Sequence, residues 1–256
     1  MPITDSTQRF SSRVENYVRY RPGYPPGILE VLKSECGLTA DSIIADVGCG
    51  TGFLARIFLE YGSRVFGIEP NKEMRKAGER FLQDCPKFMS LPGTAEDTSL
   101  PEHSVDFVTA GQAAHWFDRE KARREFRRIL KPDGWTVLVW NDRATDSTDF
   151  LREYEQLLQT YGVDYQEVRR VDLETASAIA RFFDPNPVSM KTFANRQEFD
   201  FEGLQGRLLS SSYSPQEGHA NYVPMMAALR RLYQASQKDG IVQFDYETHM
   251  YYGRLA

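Results

Sequence analysis

Seven residues, Asp46-Val47-Gly48-Cys49-Gly50-Thr51-Gly52, set three glycines at alternate positions between two segments of opposite periodicity. Before them, residues 42–47 (Ser-Ile-Ile-Ala-Asp-Val) form a short, mostly apolar run that predicts a buried strand. After them, Phe53, Leu54, Ile57, Phe58 and Tyr61 recur at helical spacing, and Gly62 supplies a C-terminal stop. A strand, a glycine turn and a helix in that order let backbone approach a ligand closely, because glycine has no Cβ and tolerates positive φ. The helix that follows offers free N–H groups and a positive dipole end. Glu69, about 20 residues on at the end of a second strand over 64–69, is placed to accept hydrogen bonds from two ribose hydroxyls.

The pattern continues along the chain. Asn71 caps a helix running to about residue 81, residues 88–91 and 105–110 read as strands, and residues 135–140 are β-rich and apolar enough for a fifth. Lys131-Pro132-Asp133-Gly134 predicts the turn before it. Strands alternating with helices predict a parallel sheet wound on both faces. Farther on, helices are expected over 150–161 and 168–183, a break at Asp184-Pro185-Asn186-Pro187, and a strand over 188–193. A helix over 225–236 would face inward with Met225, Leu229, Leu232 and Tyr233. A closing strand over 241–252 alternates, with Val242, Phe244, Tyr246 and Thr248 on one side.

Composition removes several function classes. No apolar run among the 256 residues approaches the roughly 20 needed to cross a bilayer. Residues 1–13 are polar and lack the pattern of a secretory signal, so a cytoplasmic location is expected, with no membrane partner. Cys36, Cys49 and Cys85 are an odd number without CxxC spacing, which suits reduced thiols and gives no metal site. With 31 Lys and Arg against 36 Asp and Glu, the net charge of -5 provides no long-range attraction for nucleic acid. The basic stretch over 121–131 carries Ala122, Phe126, Ile129 and Leu130 at helical spacing and reads as the solvated face of an amphipathic helix.

The cofactor class turns on one position. A dinucleotide fingerprint G-x-G-x-x-G/A needs Gly or Ala where this chain has Phe53, whose ring would obstruct close helix–strand packing. The loop Asp46 to Gly52 instead resembles the first motif of class I S-adenosylmethionine-dependent methyltransferases. Four further pieces resemble that family in the right order. They are Gly67-Ile68-Glu69-Pro70-Asn71, Gly93-Thr94-Ala95-Glu96-Asp97, Ala110-Gly111-Gln112-Ala113-Ala114-His115-Trp116, and Phe126-Arg127-Arg128-Ile129-Leu130-Lys131-Pro132-Asp133-Gly134. The likeness covers residues 13–140. The openings Phe10-Ser11-Ser12-Arg13-Val14-Glu15-Asn16-Tyr17 and Tyr20-Arg21-Pro22-Gly23-Tyr24-Pro25, with the terminal Tyr251-Tyr252-Gly253-Arg254, resemble the small-molecule branch that includes trans-aconitate methyltransferases.

The resemblance implies an α/β fold: a Rossmann-like, doubly wound, seven-stranded sheet, mostly parallel with an antiparallel last strand, plus a helical cap. One domain would span 1–256, with a lid over 1–30, a cofactor-binding core over 40–140, a helical cap and substrate-side region over 141–240, and a closing strand over 241–256. The implied cofactor is S-adenosyl-L-methionine. Gly48, Cys49, Gly50, Thr51 and Gly52 would pass its methionine portion, with Asp46 near the amino group. Glu69 and Pro70 would hold the ribose, Thr94, Ala95 and Glu96 the adenine, and Tyr17, Tyr20 and Gln112 the remainder.

Methyl transfer needs alignment of nucleophile, methyl and sulfur more than acid chemistry. A carboxylate acceptor needs no base; for a hydroxyl acceptor His115 is the best available one, with Gln112 beside it as a second catalytic candidate. Arg21, Tyr24, His115 and Trp116 are the expected substrate contacts, arginine because it can clamp a carboxylate with two hydrogen bonds. The expected partner is a small-molecule methyl acceptor bound to a monomer or homodimer. Two alternatives remain at this point: a non-catalytic S-adenosylmethionine-binding protein, and a nicotinamide-dependent oxidoreductase.

Overall fold

The computed structural model describes residues 14–167 and 175–255. Its elements follow the chain as α1 (Val14–Tyr20), α2 (Gly27–Cys36), β1 (Ile43–Val47), α3 (Phe53–Tyr61), β2 (Arg64–Ile68), α4 (Lys72–Phe81) and β3 (Phe88–Leu91). Then come β4 (Val105–Gly111), α5 (Arg119–Ile129), β5 (Leu130–Arg143), α6 (Asp149–Tyr161) and α7 (Thr175–Phe183). The chain closes with β6 (Ser189–Phe199), α8 (Phe201–Leu209), α9 (Tyr222–Ser236) and β7 (Val242–Gly253).

The sheet has seven strands in the order β3-β2-β1-β4-β5-β7-β6. The first five run parallel, and β7 pairs antiparallel with both β5 and β6. The expected sheet, mostly parallel with an antiparallel last strand, is the observed one. Chain order leaves β1 outward through β2 and β3, then returns to β4 on β1's other side. The carboxyl ends of β1 and β4 therefore flank a topological switch point, where open α/β sheets bind their ligands.

Period-2 alternation fills both faces. Ala45, Val47, Val108, Ala110 and Leu138 point to one face, under Phe126 and Ile129 of α5 and Phe182 and Phe183 of α7. Ile44, Val65, Phe107, Val137 and Val139 point to the other, under Ile28 and Leu32 of α2 and Leu54 and Phe58 of α3. A third cluster packs α6, α8 and α9 onto Val242, Phe244 and Tyr246 at the start of β7, which is the helical cap. Asn71 caps α4 by accepting from Glu73 N and Met74 N, as its position predicts.

Four local features differ from the sequence reading. The expected turn at 131–134 lies within β5 as a bulge: the register jumps from Val105↔Leu130 to Phe107↔Trp135, so the extra residues loop out without ending the strand. Strand β6 extends to Phe199, beyond residue 193, because an exposed edge strand tolerates polar residues that mask its alternation. Helix α8 carries Gly203 and Gly206, which dilute helical propensity. Gly206 is needed where it stands, since a Cβ there would lie 2.0 Å from the Tyr20 ring. Helix α2 went unassigned because only Ile28 and Leu32 of its ten residues are buried. Of the helix expected over 168–183, residues 168–174 lie outside the described residues, as does the Phe10 to Arg13 portion of the opening motif.

Candidate active site

A cavity of about 600 Å³ opens at the switch point. On its β1–β2 side it is lined by Gly48, Gly50, Glu69, Pro70, Asn71, Met74, Thr94, Ala95 and Glu96. Gly48 and Gly50 have φ of +68° and +58°, the left-handed region that favours glycine. A Cβ at Gly48 would fall 2.5 Å from the Ala113 Cβ, so the loop after β4 is seated directly on the glycine turn. A Cβ at Gly50 would meet only Met74 Cε at 3.4 Å and Gly48 O at 4.0 Å, in the space that lines the cavity.

Glu69 ties this loop to the end of β2. Its Oε2 accepts from Gly50 N at 2.9 Å and its Oε1 from Asn71 N at 2.8 Å. Burial raises its pKa, opposed by those two backbone donors and by Arg75. Each carboxylate oxygen keeps further lone pairs for a ligand hydroxyl. Asp46 is only 1% exposed and does not line the cavity; its Oδ1 accepts from Thr109 Oγ1 at 2.8 Å beneath the loop. Burial pushes its pKa up to about 6, against the pull of Thr109, Cys49 and the Ala55 N–H. Cys49, Thr51 and Gly52 also sit behind the cavity wall. Gly52 (φ +90°) opens α3, and a Cβ there would lie 2.5 Å from Leu82.

Thr94 Oγ1 accepts from the Glu96 and Asp97 amides, and Glu96 Oε1 from Asp118 N at 2.8 Å, so this turn is fixed to the start of α5. After β4, Gln112 adopts φ +56°, a strained value for a non-glycine residue, and its Nε2 donates to Asn141 O at 2.9 Å. His115 and Trp116 follow in a short 3-10 turn, Ala114–Trp116, with ring centroids 4.8 Å apart. Gln112, His115 and Trp116 all line the cavity.

The N-terminal segment divides. Tyr17 and Arg21 line the cavity, with the Arg21 guanidinium 5.0 Å from the Tyr17 ring centroid. Tyr20 and Tyr24 do not. Tyr20 packs in the cap cluster and donates to Glu202 Oε1 at 3.3 Å, whereas Tyr24 presses its hydroxyl end against Gly111 at the end of β4. Arg21 Nη2 donates to Ser210 O, Gln197 Nε2 to Tyr20 O, and Asn195 Nδ2 and Asn141 Nδ2 to Gly23 O. Those bonds tie the segment to β5, β6 and the end of α8. Phe53 packs against Phe81 at 5.2 Å and Tyr17 at 6.5 Å, occupying the place a third glycine would leave open.

The other wall was not foreseen. Asn141, Asp142, Arg143 and Thr145 from the end of β5, Tyr165, and Arg207, Ser212 and Tyr213 from α8 and its exit complete the lining. Arg207 had a usable signal: it falls on the same helical face as Leu204 and Leu208, and a charge on an apolar stripe is out of place unless it has work there. Among the described residues no group of three His, Cys, Asp or Glu can hold a metal ion, and no helix is long and apolar enough to cross a membrane.

Residues 45–138 match the family described as a methyltransferase domain. The chain is 36% identical over 154 residues to an uncharacterised methyltransferase of Mycobacterium tuberculosis, covering 60% of each protein. A Saccharomyces cerevisiae protein named as a probable S-adenosylmethionine-dependent methyltransferase is 33% identical over 141 residues, covering 53% of this chain and 47% of that one. The matches thus span less than two thirds of these relatives' length. In fold, an Anaeromyxobacter dehalogenans structure described as a candidate type II methyltransferase superposes with a TM-score of 0.67 at 20% identity, covering 92% of this chain and 98% of that one.

Proposed function

We propose that the chain, whose residues 45–138 match the methyltransferase domain family, is an S-adenosylmethionine-dependent methyltransferase that methylates a small-molecule acceptor at a carboxylate or hydroxyl. One observation carries the reading: Glu69, Thr94, Ala95 and Glu96 line the same continuous space as Tyr17, His115 and Trp116. A nucleoside side and an acceptor side therefore share one cavity, of a size usual for a bound small molecule.

The residues fit the cofactor. Glu69 is a buried carboxylate fixed by two backbone donors, suited to ribose hydroxyls, and the left-handed Gly48 and Gly50 let the methionine portion approach the main chain. Asp46, buried beneath the loop, would attract a cationic amino group through its carboxylate. When bound, S-adenosylmethionine would supply an activated methyl, the acceptor's lone pair taking the methyl as the carbon–sulfur pair returns to sulfur and the sulfonium becomes a neutral thioether. Tyr17 lines the cavity where its ring face would meet that cationic side, and the segment bonded through Arg21 and Gly23, a strap beside the site, would limit the access of water. His115 takes the proton of a hydroxyl acceptor and has no such task for a carboxylate.

Calorimetric titration with S-adenosylmethionine, S-adenosylhomocysteine and NAD tests the reading. The first two should bind in the micromolar range, about -8 kcal/mol, with no heat from NAD. Binding of NAD alone, or of none of the three, overturns it.

A further inference from the structure

Three guanidinium groups line the acceptor side of the cavity: Arg21 after α1, Arg143 at the end of β5, and Arg207 in α8. One is neutralised. Arg143 Nη2 lies 2.5 Å from Glu155 Oε2 and donates also to the Tyr165 hydroxyl, with both charged side chains more than nine-tenths buried. The other two have no carboxylate within 4 Å among the described residues. Arg207, 5% exposed, donates Nε to the Tyr246 hydroxyl and Nη1 to Ser211 Oγ, and its Nη2 makes no hydrogen bond among the described residues. Arg21 donates Nη2 to a carbonyl, and its buried Nε has no partner.

A guanidinium cannot shed its proton to escape this cost, so a buried and a half-buried cation with only neutral acceptors call for an anion. The remaining carboxylates of the cavity are engaged elsewhere: Glu69 and Glu96 with backbone amides on the nucleoside side, and Asp142 with His249. The field of the cluster is felt by Tyr213, where burial raises the phenol pKa but Arg207, Arg143 and Arg21 outweigh it and leave it lowered.

We propose that Arg21 and Arg207 form an oxyanion subsite that anchors a carboxylate of the acceptor, so that the acceptor is a small organic acid. The assignment rests on the methyltransferase reading for the word acceptor alone; anion binding by the two arginines does not depend on it. Planar guanidinium forks suit a carboxylate, and neutral acceptors, the Tyr246 and Ser211 hydroxyls, already hold Arg207 in place so that its Nη2 stays available.

The test is calorimetric titration of the full chain, with and without saturating S-adenosylhomocysteine, using succinate, propane-1,2,3-tricarboxylate, inorganic phosphate and the uncharged succinamide. At least one carboxylate should bind, succinamide should not, and Arg207→Gln should weaken the carboxylate about tenfold or more while leaving S-adenosylhomocysteine affinity within about twofold. Arg21→Gln, at a less buried position, should weaken the carboxylate in the same direction and serves if Arg207→Gln fails to fold. Equal carboxylate affinity in a folded variant, binding of phosphate alone, or equal binding of succinamide overturns the proposal. Loss of S-adenosylhomocysteine binding with carboxylate binding intact sinks the cofactor reading and leaves the subsite standing.

Discussion

The two ends of the cavity are built from different material. The end proposed for the nucleoside comes from residues 48–96, adjacent in sequence, and presents a glycine turn and one carboxylate, Glu69, fixed by Gly50 N and Asn71 N. The end proposed for the acceptor is gathered from Arg21, Arg143, Tyr165, Arg207 and Tyr213, far apart in the chain, and presents charged and phenolic side chains. A backbone cradle is set by local conformation and suits a ligand whose shape does not vary. Side chains on a helical cap are free to change without disturbing the sheet, so specificity belongs there.

Substitutions at the two ends should fail in different ways. The largest effect is expected at Arg143, because Arg143→Ala leaves Glu155 buried beside Tyr165 without its counter-ion. Urea denaturation should register a loss of roughly 3–5 kcal/mol, and Glu155→Gln on top should restore part of it. A loss below 1 kcal/mol would mean that the acceptor wall is not the buried ionic structure described.

Asp46 should come next, through pH. Its folded pKa of about 6 lies above the ordinary 3.8, so the folded state holds the proton more tightly than the unfolded one. That contribution is fully present below about pH 3.8 and is lost as pH rises through about 6. Relative to the parent, Asp46→Asn should therefore gain stability from pH 4 to pH 7 by roughly 2 kcal/mol, read from denaturation curves across that range. Parallel pH profiles would remove Asp46 as a buried ionised group.

Glu69→Gln removes charge from the nucleoside end while keeping shape. S-adenosylhomocysteine affinity should fall by about tenfold to a hundredfold, with succinate affinity unchanged. A fall in both would mean that the two ends are not separable. The smallest effect is expected for Tyr20→Phe, which loses a 3.3 Å bond to a largely exposed Glu202 and keeps the ring on Gly206. It should cost under about 1 kcal/mol and leave cofactor binding untouched, whereas Gly206→Ala, forcing a Cβ into that ring, should loosen the strap.

How far the sequence carried follows the same division. Strands β1 to β4 and helices α3 and α4 were legible within a residue or so, since buried parallel strands are continuous apolar runs and their helices carry wide apolar stripes. Gly48, Gly50, Glu69 and the Thr94 turn were legible because a tight turn between strand and helix constrains residue type locally. Tyr20 and Tyr24 stood beside Tyr17 and Arg21 in sequence, yet one seats on Gly206 and the other on Gly111, away from the cavity lining. Which side of a short helix faces the cavity is decided by partners nearly two hundred residues away. Arg143, Arg207 and Tyr213 meet only through the packing of α8 and the end of β5, and no spacing in the chain encodes that meeting.

The most direct test of a cavity with two unlike ends is a crystal structure of the chain with S-adenosylhomocysteine. The account predicts ribose hydroxyls within hydrogen-bond distance of the Glu69 carboxylate, the homocysteine portion along Gly48 and Gly50, and the thioether sulfur facing His115, Trp116 and the arginine-lined space. Adenine seated among Arg21, Arg143 and Arg207, or a ligand bound away from Glu69, would contradict it.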